Sequence, residues 1–269
     1  MLIKAGKKKL LTGKTRQEER RTQQMLQSRI GNAMMPALDS EFNRTINKLV
    51  DSYEETQGST ELFVFELEKH EKELGAVLER EWNRAAIMAG ERIIGSAKCM
   101  HGNHFIRKET IQESFLSRVQ FFISTIALKK VVGLSQTTVE QVRSKISIGL
   151  AGGFSTDEIA KNIRGTSGQM SKYRSMMIAR TEGHSAYNFG SQAGAQASEL
   201  MLEKEWISSG DIRTRDGENG FDHDGADGET VGVDDFFIMT SEPLMYPGDP
   251  SGSAGNVIHC RCGSGHVIL

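Results

Sequence analysis

Residues 63–94 read FVFELEKHEKELGAVLEREWNRAAIMAGERII, and this stretch decides the fold class. Its apolar set, Phe63, Leu67, Leu74, Leu78, Trp82, Ala85, Ala89 and Ile93, advances in steps of three, four or seven and so falls on one face of an α-helix. The spacing predicts a long amphipathic helix ending near Gly95. Downstream, Ile111, Phe115, Val119, Phe122 and Ile126 repeat the spacing and predict a second helix. Gly133 interrupts the pattern before Val139, Val142, Ile146 and Leu150 resume it in a third. After the turn at Gly152 and Gly153, Ser155-Thr156-Asp157-Glu158 reads as a capping box, with Ser155 accepting from the Glu158 amide. It opens a short helix through Ile159 and Ile163 that Gly165 is expected to stop. A last helix, about residues 173–199, carries Met177, Ile178, Thr181, Ala186, Phe189, Ala193 and Ala197. Its small residues predict close packing and a central place.

The texture then changes. No proline stands between Pro36 and Pro243, whereas Pro243, Pro247 and Pro250 lie within eight residues of one another. Eleven of the 28 glycines fall between Gly210 and Gly265, mixed with Asp, Asn and Ser, which predicts turns and short strands. The strand candidates are Lys204 to Ile207, Phe236 to Met239 and Val257 to His259. The predicted fold class is mainly α with a C-terminal α+β module: elongated amphipathic helices followed by a glycine-rich segment. Three parts are expected: a basic flexible arm (1–24), a helical N-terminal domain (25–138) and the module (139–269).

At 269 residues and 29.8 kDa the chain is large enough to bury a real core, and a mean hydropathy of −0.40 describes a soluble protein. The longest apolar stretch, Phe121 to Leu134, is broken by Lys129 and Lys130, short of the roughly 20 residues that cross a bilayer. Residues 1–11 lack the apolar region of a secretory signal, so the chain is expected in a cytoplasm or in something assembled there. Cys99, Cys260 and Cys262 are too few for a disulfide framework and are expected as thiols. The net charge of −2 conceals an asymmetry. Residues 1–24 hold Lys4, Lys7, Lys8, Lys9, Lys14, Arg16, Arg20 and Arg21 against two acids, a net of +6, and residues 211–249 carry a net of −9. A polyanion is the expected partner of the first segment, and a cation or basic surface that of the second.

The informative residues of the C-terminal half come in a fixed order. They are Ala179-Arg180-Thr181-Glu182, Lys204-Glu205-Trp206-Ile207-Ser208, Asp211-Ile212-Arg213-Thr214-Arg215, His223 with Asp227-Gly228, Tyr246-Pro247-Gly248-Asp249-Pro250, and His259-Cys260-Arg261-Cys262. This series resembles the phage Mu F-like head morphogenesis family, the minor head proteins of tailed double-stranded DNA phages, over roughly residues 140–265. Two departures stand out: His259 takes the place of the family's Asn before Cys-Arg-Cys, and the link from Asp216 to Asp222 is a few residues longer than usual. The resemblance implies a portal-associated minor capsid protein, present in few copies, acting in procapsid assembly, DNA packaging or ejection. It would reside in the phage head, and in the host cytoplasm during assembly, with the portal and other capsid proteins as partners.

The same residues carry chemistry of their own. Cys260 and Cys262, with His223 and either Asp227 or His259, could hold one zinc ion and pin a segment poor in apolar residues. The plainer alternative is two ordinary thiols and a histidine hydrogen-bonded inside a turn. Arg213 and Arg215, two apart, share a face if the chain there is extended, and their forks would clamp Asp227, Asp234 or Asp235. Together with Trp206, Asp211, Arg180 and Glu182 they are read as a structural clamp, not a phosphate site. A divalent-metal nuclease using His223, Asp224, Asp227, Glu229, Asp234 and Asp235 is the enzymatic alternative, but no residue stands out as a nucleophile and no enzyme is expected. The basic arm is the candidate contact to double-stranded DNA or to an acidic partner surface, and a free DNA-binding protein is the remaining alternative.

Overall fold

The computed structural model describes residues 10–101 and 108–269. Five long helices come first: α1 (Arg16–Glu55), α2 (Phe63–His101), α3 (Lys108–Phe122), α4 (Lys129–Ala151) and α5 (Thr156–Ala197), with a single π-helical turn at Ile123–Ala127. Then follow β1 (Leu202–Ile207), β2 (Thr230–Gly232), the one-turn α6 (Ala254–Val257) and β3 (Gly263–Ile268). The strands form one antiparallel sheet in the order β2-β1-β3, with Lys204 between Val231 and His266 and Trp206 opposite Ser264. The architecture is therefore mainly α with a small C-terminal sheet, the class that the helical spacing predicts. No helix among the described residues is long and apolar enough to cross a membrane.

Three glycines expected to break helices do not. Gly95 lies within α2, Gly133 within α4 and Gly165 within α5, which joins two expected helices into one of 42 residues. An interior glycine costs about 1 kcal/mol relative to alanine, whereas burying one isoleucine contributes about 1.5–3 kcal/mol. Ile93 and Ile94 before Gly95, and Ile159 and Ile163 before Gly165, are all buried. The capping box opens α5 as read: the Glu158 amide donates to Ser155 Oγ at 3.4 Å and the Ser155 amide to Glu158 Oε2 at 2.8 Å. Two expected core residues are exposed. Ile126 falls in the π-helical turn, whose wider repeat turns Ile123 inward instead, and Leu150 points out because Gly149 takes the inward place against Ile159.

Two of the three strand candidates are corrected. Phe236 to Met239 makes only a bridge from Phe237 to Leu244, and Val257 to His259 leaves α6 and turns through a left-handed His259 (φ 60°). The last strand is Gly263–Ile268, whose glycines permit close approach. A Cβ at Gly263 would collide with the Gln23 side chain, and one at Gly265 would stand 2.7 Å from Leu10.

The chain divides into two compact units: Met1–Gly31 with Trp82–Phe122 and Arg180–Leu269, and Asn32–Glu81 with Ile123–Ala179. Residues of α1, α2 and α5 fall in both units. The second unit closes over Leu49, Tyr53, Phe63, Val142, Ile146 and Ile163. In the first, α2 and α5 meet at small residues: a Cβ at Gly190 would lie 2.1 Å from the Ala86 carbonyl oxygen. Of the expected arm, residues 10–24 are described. Leu10 bridges Val267, Leu10 and Leu11 are buried, and α1 begins at Arg16 behind a second capping box, Thr15 to Glu18. Lys4, Lys7, Lys8 and Lys9 lie outside the described residues.

Candidate functional site

His223 sits in the turn after the long link, where its amide donates to the Arg215 carbonyl at 2.9 Å. Its ring is buried and packs edge-on against Trp206, with centroids 5.2 Å apart. Nε2 faces Asn256 Oδ1. The Asn256 amide is itself oriented, because its Nδ2 donates to Thr240 O and to Glu242 Oε2, both at 3.1 Å. With an acceptor fixed opposite Nε2, that nitrogen carries the hydrogen and Nδ1 is left with a lone pair. Nδ1 lies 3.6 Å from Cys260 Sγ and 3.6 Å from Cys262 Sγ. All three side chains are buried, and their ligand atoms lie within 4.8 Å of one another. Burial pushes the Cys260 thiol up, but hydrogen bonds from Cys262 and the charges of Arg215 and Arg261 bring it below its ordinary value. The hydrogen bond to Cys260 and burial hold the Cys262 thiol well above the ordinary value. The pair thus shares its ionisation unequally.

The two residues expected to complete four ligands are elsewhere. Asp227 accepts the Ser208 amide at 2.7 Å and pairs with Arg16 Nη2 at 2.6 Å and Arg20 Nη2 at 3.3 Å. His259 is exposed, its left-handed backbone being the bend that turns Cys260 inward, and its amide donates to Thr181 Oγ1 at 3.4 Å. Burial and the charge of nearby Arg180 lower its imidazole below the usual range.

The expected clamp is also rebuilt. Residues 211–215 form a turn, with the Thr214 amide on the Asp211 carbonyl at 2.8 Å, so Arg213 and Arg215 do not share a strand face. Arg213 lies 3.7 Å from Asp211, and Arg215 donates to the Ile258 carbonyl at 2.5 Å. The arginine that grips Asp211 is Arg261, through both terminal nitrogens, and this pair holds the Asp211 carboxyl down at about 2. Arg180 is exposed and Glu182 is buried on α5. Sequence reasoning missed Arg261 as the clamp, although it stands inside Cys-Arg-Cys, and missed Asn256, which no spacing marks. The engagement of Arg16 and Arg20 was signalled by the Thr15-Arg16-Gln17-Glu18 capping box, which makes their segment helical.

The acidic segment spends its charge on its own backbone. Asp249 accepts the amides of Met245 and Ser251 at 2.8 and 2.9 Å, Glu229 that of Ile238 at 2.8 Å, Glu242 that of Ser253 at 2.9 Å, and Asp222 that of Gly225 at 2.6 Å. Among the described residues, one His/Cys/Asp/Glu group converges as a metal site would, and it contains no carboxylate. The set considered for a nuclease is therefore dispersed. The basic residues that were candidates for DNA are partly committed too: Arg16 and Arg20 to Asp227, and Lys14 Nζ to Thr22 Oγ1 at 2.6 Å.

Residues 140–264 match the family model described as Phage Mu protein F like protein. The chain is similar to the minor head protein GP7 of Bacillus phage SPP1, at 23% identity over 249 residues that cover 85% of this chain and 78% of that protein. No solved structure matches the chain significantly. The family match spans Arg180, Trp206, Asp211, His223, Asp227 and the Cys-Arg-Cys run. Over residues 140–264, the chain is thus similar to the family described as Phage Mu protein F like protein.

Proposed function

We propose that this protein is a portal-associated minor head protein, built into the particle in few copies and acting in procapsid assembly, DNA packaging or ejection. The observation that carries the reading is the family match on residues 140–264 together with similarity to a minor head protein along 85% of the chain. The site geometry supports a structural role and no catalysis. Its polar residues are spent on one another: His223 on Asn256, Asp211 on Arg261, Asp227 on Arg16 and Arg20. Two surface hollows among the described residues, one beside Arg118 and Gln196 and one beside Arg174 and Tyr173, are lined by none of these signature residues.

In this reading the protein works in the host cytoplasm during assembly and ends in the virion, contacting the portal and neighbouring capsid proteins. Lys4, Lys7, Lys8 and Lys9, with Arg21 exposed on α1, supply the contact to double-stranded DNA. The test is co-sedimentation of the tagged chain with procapsids made with and without the portal protein. The reading expects incorporation that disappears when the portal is absent; a chain that never enters particles, or that enters equally without portal, contradicts it. Replacing the four lysines by glutamine is expected to flatten the salt dependence of DNA binding, by about 0.9 in log–log slope for each phosphate that is no longer neutralised.

A further inference from the structure

The group formed by His223, Cys260 and Cys262 has no task in the minor-head reading. Its dimensions suggest one. A tetrahedral zinc ion with Zn–S bonds of about 2.3 Å and a Zn–N bond of about 2.1 Å sets each N···S edge at about 3.6 Å. The two N···S separations here are 3.6 and 3.6 Å. Two bare thiols meeting an imidazole need no such equality, since one S–H bond to Nδ1 would satisfy the ring.

The second observation is the tautomer. A metal-bound histidine commonly donates its other nitrogen to a carbonyl or carboxylate, which aims the lone pair at the ion. Asn256 Oδ1 occupies that place, and the amide is held in that orientation by Thr240 and Glu242. The third is burial. Cys260 and Cys262 pack with Trp206, Ala226, Phe237 and Leu244 in one apolar cluster, where an isolated thiolate would be costly. Two thiolates and one divalent cation sum to zero charge, which suits such surroundings.

We infer that His223 Nδ1, Cys260 Sγ and Cys262 Sγ bind one thiophilic divalent cation of the zinc class, with water as the fourth ligand and Asn256 as the residue that orients the imidazole. The ion ties the turn around residues 222–228 to the chain entering β3, a segment whose own apolar core is small. Asp227 and His259 take no part in it. This assignment stands on geometry within one compact unit and does not depend on the portal-associated reading; failure of either leaves the other to be judged on its own test.

The experiment uses the full chain, expressed with zinc in the medium and purified under reducing conditions without chelator. Elemental analysis is expected to give close to one zinc per chain, and cobalt(II) in its place to give thiolate-to-cobalt absorption in the near ultraviolet. C260S and C262S are expected to lose the metal, whereas C99S keeps it. Because the first two variants alter buried side chains, the wild-type protein supplies a second measurement. Stripping with a chelator is expected to lower its melting temperature and open two further thiols to a thiol reagent, and added zinc to reverse both. Folded, reduced protein with less than about a tenth of an equivalent of zinc and no cobalt absorption overturns the inference. Retention of stoichiometric metal by both C260S and C262S overturns the ligand set.

Discussion

The helical unit of Asn32–Glu81 and Ile123–Ala179 and the glycine-rich segment 208–262 answer the same demand by opposite means. Every buried amide and carbonyl needs a partner. The helices supply partners from their own backbone and leave side chains free to build an apolar core around Phe63, Val142 and Ile163. The segment has almost no ladder of its own, and the carboxylates of Asp222, Asp227, Glu229, Glu242 and Asp249 accept its amides instead. The helical unit should therefore be sensitive to lost volume and indifferent to lost charge. The segment should show the reverse.

The largest effect expected on the helical side is from Phe63→Ala, which opens a cavity at a fully buried position and should lower stability by about 3–5 kcal/mol in urea denaturation. A loss below about 1 kcal/mol would mean that packing does not carry that unit. On the segment side, Asp227→Asn preserves volume but removes the carboxylate that Arg16 and Arg20 share, leaving Arg16 its pair with Glu205 at 2.5 Å, and should cost about 1–3 kcal/mol by the same measurement.

A third expected effect depends on pH. Burial pulls the His266 imidazole down to about 4, with Lys204 adding to the shift, so it stays neutral in the folded chain. The unfolded chain takes up that proton below about pH 6.5, so the stability held above 6.5 is lost as pH falls towards 4, with a slope of up to about 1.4 kcal/mol per pH unit. Denaturation midpoints of wild type and His266→Gln between pH 7 and 4 check this; parallel curves would refute it. The smallest effect is Asp51→Asn in the helical unit, where the exposed pair with Arg164 at 2.8 Å should be worth no more than about 0.5 kcal/mol. A loss matching that of Asp227→Asn would erase the contrast.

The same contrast explains what was legible in the sequence. Helical periodicity located α2, α3 and α4, and Ser155-Thr156-Asp157-Glu158 located the start of α5, because these signals are local. The ends were misplaced at Gly95 and Gly165, where burial of neighbouring isoleucines outweighs a modest backbone cost. In the segment, side-chain type was informative and partner was not. Cys260, Cys262 and His223 were singled out by chemistry and do converge, whereas Asp227, marked as a ligand, belongs to Arg16 and Arg20 from the far end of the chain. The charge asymmetry between residues 1–24 and 211–249 pointed outward to partners. Part of it is satisfied within the fold, a pairing that composition cannot reveal. β3 was hidden because its glycines and serine read as a turn until Gln23 and Leu10 are packed against it.

Hydrogen exchange followed by mass spectrometry tests most directly whether carboxylates hold the segment together. The amides of Ser208 and Met245, which lie on Asp227 and Asp249 at 2.7 and 2.8 Å, should exchange at least about a hundredfold more slowly than in an unfolded chain. In Asp227→Asn the protection at Ser208 should fall while the amides of α4 keep theirs. Near-unfolded rates at Ser208 and Met245 in the wild-type protein would contradict the account.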